Sequence, residues 1–509
     1  MHAASNVYAF DPSKPQNNTV FAQYLSRWQN ARGRGPFFLL ILLGAISVLG
    51  HAPFYFAPVF LLCFALFWLR IDGMREWEER PKRALFWSGW AFGFGYFLAG
   101  LYWIGSAFLV RGGIYVWIMP LCVPILPAFL ALFWAIPSAL YGYLKLSKLW
   151  LSALIFGLLI FVFEWLRGHI LSGLPWNLPG YIFEGGKATS QSASFLGIYG
   201  LSLLTLIFGA AIGPLLKRPK AGAVFFAIML AGFVGLFGWG QWRLNNAQMS
   251  ASPADINIRV VQAQIDQSKK FDPDYYDTIL ERYAELSYSE GIEEIDLIIW
   301  PEGAIPGLVL EREIVMAQLI SGLRPGQTLV FGVTRRDQDN KYYNSMVAIT
   351  MGDNGQAYAS AIYDKYKLVP FGEYFPGGQF VQKMGVPSLS AAVSSFTRGD
   401  QSAFTPPGLP PASAQICYEI IFPGFTNLSE TPKPQYILNI SNDAWYGRSS
   451  GPWQHINQVK YRAIETGLPV VRSASNGVSG IIDPWGRSLE NISPYELTVI
   501  DQTLPKSLE

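Results

Sequence analysis

From position 36 to 242, long apolar runs alternate with short charged loops; from position 255 the pattern changes to short β-rich runs between polar segments. A helix that crosses a membrane needs about 20 apolar residues. Seven segments reach or approach that length: 36–50, 52–69, 85–110, 114–144, 149–166, 194–216 and 221–242. The first is short, and with the second it predicts a tight hairpin turning at His51-Ala52-Pro53. The fourth is over-long and holds Pro120, Pro124, Pro127 and Pro137, which predicts a kinked or partly re-entrant course. Beyond them, runs at 256–264, 296–300, 328–334, 345–350, 414–421, 436–441, 469–473 and 478–482 read as strands, and 275–290 and 311–323 as helices. Such alternation predicts a layered α/β domain. The expected organisation is a disordered cytoplasmic tail over 1–35, a helical membrane domain over 36–243 and a catalytic domain over 255–504. The tail is polar, rich in Asn and Gln, and lacks the apolar core of a signal peptide.

Composition agrees with a membrane location. Hydrophobic residues make up 51% of the 509 and charged residues 15%, against about 25% charge in soluble domains. The net charge of +2 gives no reason to expect a nucleic-acid partner. Basic residues gather in alternate loops. Arg27, Arg32 and Arg34 precede the first span; Arg70, Arg75, Arg80, Lys82 and Arg83 lie around the second-to-third loop. Lys145 and Lys148 follow the fourth span, and Lys217, Arg218 and Lys220 the sixth. The intervening loops carry few cations, so the positive-inside bias places the N-terminus in the cytoplasm and everything after Trp242 outside, in the periplasm of a bacterium. No apolar run follows Ile500, so the C-terminus is also expected outside. Glu164 and Arg167, at the outer end of the fifth span, are expected to snorkel to the interface, or else to meet a lipid headgroup. The loop containing Pro175-Trp176 would suit an interfacial platform.

Of three cysteines, Cys63 and Cys122 lie in apolar runs, and Cys417 is alone in the second half. It is either a small buried hydrophobe or a nucleophile. It ends a β run in Ile416-Cys417-Tyr418-Glu419. Other strand ends also carry polar groups: Ile299-Trp300-Pro301-Glu302, Tyr363-Asp364-Lys365-Tyr366-Lys367 leading to Glu373, and Asn439 to Gly447. One carboxylate, one ammonium and one thiol are what thiol acyl transfer requires: a base, an oxyanion donor that also lowers the thiol pKa, and a nucleophile. Each residue alone reads equally as an ordinary strand-end polar group. The four histidines, His2, His51, His169 and His455, have no ligand spacing, so neither metal nor cofactor is expected.

Trp300-Pro301-Glu302, Lys365 eight residues before the Glu373 of Pro370-Phe371-Gly372-Glu373, and Cys417-Tyr418-Glu419 resemble the nitrilase superfamily. With a membrane half in front, with Ser441 to Gly447, Gly451 to His455 and Arg472 to Gly477, and with Glu164 to Gly168 and Pro175-Trp176, the chain resembles the apolipoprotein N-acyltransferase family. That resemblance implies an α-β-β-α sandwich on a helical membrane domain. It implies Glu302 as general base, Lys365 rather than Lys367 as the oxyanion lysine, Cys417 as nucleophile and Glu373 as a supporting glutamate. Tyr418 and Glu419 would shape the site, and Trp445 would lie near the substrate entrance. The implied donor is a phospholipid, typically phosphatidylethanolamine, and the implied acceptor the amino group of a diacylglyceryl-cysteine at an apolipoprotein N-terminus. The expected setting is a monomer in the bacterial inner membrane. A membrane-tethered amidase or nitrilase using the same three residues, and a silent lipoprotein-binding module, are the competing readings. Residues 375–395, rich in Gly, Pro and Ser, are expected to form a mobile cover.

Overall fold

The computed structural model describes residues 20–75, 81–252, 255–374, 396–429 and 431–508. The expected cover over 375–395 and residues 1–19 of the expected tail lie outside them.

The first half is helical: α1 (Val20–Asn30), α2 (Gly35–Ser47), α3 (Ala57–Arg75), α4 (Pro81–Gly100), α5 (Gly105–Arg111), α6 (Ile114–Cys122), α7 (Ile125–Leu130), α8 (Leu132–Tyr141), α9 (Leu149–His169), α10 (Ala193–Lys217) and α11 (Pro219–Asn245). Among the described residues, five helical segments are long and apolar enough to cross a membrane, and two bent helix pairs bring the number to as many as seven. The fourth segment is divided into α6, α7 and α8 by breaks at 123–124, where Pro124 lies, and at Ala131, while Pro120, Pro127 and Pro137 stay within helices; α2 and α3 form the hairpin.

Three expectations fail here. Residues 20–30 form a helix rather than a disordered tail. Leu25 and Trp28 pack against the bundle, Trp28 Nε1 donates to the Leu66 carbonyl at 2.9 Å, and Arg70 caps the helix end through the carbonyls of Trp28, Gln29 and Ala31. Glu164 and Arg167 do not snorkel. Both are buried and bonded to each other at 2.6 Å, with Trp134 Nε1 donating to the carboxylate at 2.8 Å. A charged pair this well satisfied tolerates the interior of the bundle. Trp176 is 2% exposed and faces the second half of the chain instead of an interface with lipid.

The second half is an α-β-β-α sandwich. One sheet has the order β11-β1-β2-β3-β4-β5 and the other β10-β9-β8-β7-β6. Their strands are β1 (Asn257–Gln262), β2 (Leu297–Ile299), β3 (Thr328–Arg336), β4 (Tyr342–Met351), β5 (Ala357–Asp364), β6 (Ala412–Ile416), β7 (Tyr436–Asn442), β8 (Val470–Ser475), β9 (Ser479–Ile482), β10 (Ser488–Ile492) and β11 (Thr498–Thr503). Val260, Ile299, Val330 and Met346 of the first sheet meet Ala414, Ile416, Leu438 and Val471 of the second. Helices α12 (Tyr276–Ser287) and α13 (Glu313–Ile320) cover the first sheet through Ile279, Tyr283 and Leu319. The expected strand over 414–421 ends at Ile416, and Cys417–Ile421 is a 3-10 turn.

Helix α14 (Gly451–Thr466) covers the second sheet, and its outer face is the seam with the membrane half. Polar side chains make that seam specific. Trp103 and Trp176 both donate to Gln454 Oε1, at 3.2 and 2.8 Å. The Gly185 N–H donates to Asn457 Oδ1 at 2.8 Å, the Tyr461 hydroxyl to the Phe183 carbonyl at 2.7 Å, and the Ile198 N–H to Glu465 at 2.7 Å. The two halves are therefore joined by directional bonds as well as by apolar packing.

Candidate active site

Glu302 sits just past the C-terminal end of β2. The chain there stays zipped to β3: the Trp300 N–H donates to the Val330 carbonyl at 2.9 Å, and the Ala304 N–H to the Gly332 carbonyl at 3.1 Å. This close approach needs glycine at 332, because a Cβ there would lie 2.5 Å from the Glu302 Cα. Trp300 is fully buried and its indole donates to the Ser287 hydroxyl at 2.7 Å, so the strand end is fixed before the carboxylate emerges.

Lys365 follows β5 directly and is 1% exposed. Its ammonium lies 3.3 Å from Glu302 and 2.8 Å from Glu373. Asn344 on β4 donates to both carboxylates at 2.7 Å, and the Asn442 N–H donates to the other Glu302 oxygen at 2.8 Å. Glu302 is thus held by groups from both sheets. Lys367 takes no part: its ammonium stands over the Phe422 ring, 3.7 Å from the centroid. Asn344 was not singled out in the sequence, although a lone amide in the apolar run of β4 is a signal.

Cys417 opens the turn after β6 with φ +52°, a left-handed conformation uncommon outside glycine. Such strain persists only where surrounding contacts hold it. Glu419 does much of that holding. Its carboxylate accepts from the N–H groups of Ile416, Tyr366 and Lys367 at 2.7, 2.8 and 2.9 Å, and from the Tyr363 hydroxyl at 2.9 Å. It therefore ties the nucleophile turn to the loop that carries Lys365. Tyr418 points the other way, and its hydroxyl donates to the Gly173 carbonyl of the membrane half at 2.6 Å.

Behind the thiol lies a buried polar network. The Ser441 hydroxyl donates to Asp443 at 2.6 Å. Asp443 also accepts from Arg472 at 2.7 Å and lies 3.1 Å from His455 Nδ1. Trp445, in the next turn, is 39% exposed. Among the described residues, no group of three or more His, Cys, Asp or Glu side chains converges as metal ligands would.

The charges fall in a definite order. Burial opposes ionisation of Glu302, but Lys365 and the donors from Asn344 and Asn442 outweigh it and hold the carboxyl below the ordinary glutamate range. Burial also works against the Lys365 ammonium, yet Glu302 and Glu373 raise its pKa above the ordinary lysine value. Burial and the Glu302 charge push the Cys417 thiol up, and the lowering pull of Lys365 does not overcome them. Lys365 does lower the thiol pKa as expected, but burial and Glu302 outweigh it, so the net direction is upward. Burial pushes the Glu419 carboxyl up to about 7 against its four donors.

Residues 257–508 match the carbon-nitrogen hydrolase family, and residues 43–211 match the apolipoprotein N-acyltransferase N-terminal domain. The apolipoprotein N-acyltransferase of Caulobacter vibrioides is 36% identical over 480 residues, covering 92% of this chain and 88% of that protein. The one from Rhodopseudomonas palustris is 35% identical over 489 residues, covering 92% and 89%. Among solved structures, an amidase from Nesterenkonia sp. aligns at 16% identity with a TM-score of 0.34, over 50% of this chain and 92% of that one. Both halves are matched in order and the likeness spans nine-tenths of the length, so the chain belongs to the apolipoprotein N-acyltransferase family and is a membrane acyltransferase.

Proposed function

We propose that Cys417 takes an acyl chain from a phospholipid as a thioester and passes it to the N-terminal amine of a diacylglyceryl-cysteine in an apolipoprotein. Glu302 is the general base, Lys365 the oxyanion donor and Cys417 the nucleophile. In the first half-reaction the thiol sulfur attacks the ester carbonyl as Glu302 accepts its proton. Lys365 spends two of its three N–H donors on Glu302 and Glu373, which leaves one for the developing oxyanion. Collapse expels the lysophospholipid oxygen, which takes the proton back from Glu302. In the second half-reaction the α-amine attacks the thioester, Glu302 accepts the amine proton, and the departing sulfur is reprotonated. A thiol that stays neutral until a carbonyl is in place couples its deprotonation to attack.

Loop charges support a setting in the inner membrane with the catalytic half in the periplasm. All three reacting residues come from one chain, which supports a monomer. Phosphatidylethanolamine is the proposed donor.

The observation that carries this reading is the bond from Tyr418, next to the nucleophile, to Gly173 of the membrane half. A tethered hydrolase needs only an anchor; here the nucleophile turn is registered on the loop that follows α9 of the membrane half, beside which a lipid donor and a lipid-anchored acceptor would both arrive. The test is to load the enzyme with phospholipid, remove the donor, and follow the thioester with and without a diacylated lipopeptide. Rapid decay only with lipopeptide, giving the N-acylated product, is expected. Equally fast decay in buffer would favour the amidase reading.

A further inference from the structure

A second lysine belongs to the neighbourhood of Glu302 and has no part in the chemistry described above. Lys270 lies in the loop after β1 and is 5% exposed. Its Nζ stands over Gly303, the residue after Glu302, 3.6 Å from where a side chain at that position would begin. The same loop reaches the Glu302 backbone donor from another side, through the 3.4 Å contact between Asn442 Nδ2 and Gln267 Oε1. Lys270 feels the charge of Glu302, yet lies outside ion-pair distance of it. Among the described residues, no carboxylate pairs with Lys270 and no acceptor hydrogen-bonds its ammonium. Lys365, by contrast, is bonded to two carboxylates. Burial holds the Lys270 amine down to about 8 even with Glu302 nearby, so it keeps its charge at neutral pH.

An ammonium with no protein acceptor is open to an incoming anion. Two carboxylates and the single cation of Lys365 would leave this site net negative, which repels an anionic donor. Lys270 cancels that excess.

We propose that Lys270 is the anion-binding residue of the site and holds the phosphate of the phospholipid donor while the ester carbonyl lies at Cys417. This rests on the phospholipid reading above. The contact is a charge-assisted hydrogen bond to a phosphodiester oxygen, present with the donor and absent once lysophospholipid has left. Lys270 acts by positioning the donor and makes no contact with the reacting atoms.

The test compares two donors on the full-length, detergent-solubilised chain: a diacyl phospholipid and a neutral p-nitrophenyl acyl ester with no phosphate. Acylation of Cys417 is followed by intact mass for the wild type, Lys270→Met and Lys270→Arg. The ratio of kcat/KM for phospholipid over neutral ester is expected to fall roughly tenfold or more in Lys270→Met, chiefly through KM, the worth of one charge-assisted hydrogen bond. Lys270→Arg is expected to restore most of the ratio. An unmoved ratio, whether both donors are lost equally or neither is, overturns the proposal; equal loss would assign Lys270 to Glu302 instead. A wild type loaded by the neutral ester and never by phospholipid would instead overturn the donor reading itself.

Discussion

Glu373 holds Lys365 more closely than Glu302 does: Lys365 Nζ lies 2.8 Å from Glu373 and 3.3 Å from Glu302. The supporting carboxylate thus keeps the ammonium from collapsing onto the base. If Lys365 closed onto Glu302, the base would bind protons less well and the third donor would turn away from the oxyanion. Glu373→Gln is expected to slow acylation of Cys417 by roughly 10- to 100-fold, the scale of a disturbed oxyanion donor. Glu373→Asp should recover part of the rate. Single-turnover acylation followed by intact mass is the measurement, and a wild-type rate in Glu373→Gln would exclude this role.

Asn344 donates to both carboxylates, so its loss should raise the proton affinity of Glu302. The sign follows from the environment. Glu302 has a folded pKa below its ordinary 4.5, so the base is fully ionised above that value and is lost as pH falls through the lower one. Its contribution to stability follows the same course. The limb that belongs to Glu302 should therefore lie in acid, below its ordinary 4.5, apart from any change near pH 7 or 8, where Glu419 and Lys270 titrate. Asn344→Leu should move this acid limb upward. An acid limb that Asn344→Leu leaves in place would contradict the assignment of Glu302.

Glu419 joins the nucleophile turn to the Lys365 loop through four accepted hydrogen bonds. Glutamine retains one carbonyl oxygen and presents an NH₂ group to donors already in place. Glu419→Gln is expected to cost about 2 kcal/mol or more in stability, the scale for a buried bond to a charged acceptor. It should also lower the acylation rate, because the left-handed backbone at Cys417 loses its brace. Thermal unfolding in detergent, read beside single-turnover kinetics, tests both effects. Full activity with lowered stability would restrict Glu419 to a structural role.

In the membrane half, removing one partner of the Arg167–Glu164 pair strands a buried charge. Arg167→Leu should destabilise by about 3–5 kcal/mol. Replacing both residues with apolar ones should cost less than the sum of the single changes. A double-mutant cycle on unfolding midpoints measures this, and strict additivity would mean that the two charges do not depend on each other.

The membrane segments were legible because lipid demands long uninterrupted apolar runs. Strands β1, β2 and β7 were legible for a related reason: parallel strands buried on both faces read as continuous apolar text. Helix α14 escaped notice because its buried side chains include Gln454, His455, Asn457, Gln458 and Arg462. Several of their partners lie on loops of the membrane half, far away in sequence, so hydrophobic periodicity carries no trace of them. Strand β5 is half exposed and mixes Ala, Ser and Tyr, which blurs its alternation. Glu302, Lys365 and Cys417 stood out as polar groups at strand ends. The roles of Asn344 and Lys270 arise only when sheets and loops converge, and the spacing of Glu164 and Arg167 gave no hint of their burial.

The most direct measurement is the intact mass of the purified chain after exposure to phospholipid alone. The expected result is a gain of one acyl chain on Cys417, removed by hydroxylamine and absent in Cys417→Ala. No added mass, or an acyl group that Cys417→Ala retains, would contradict the covalent mechanism.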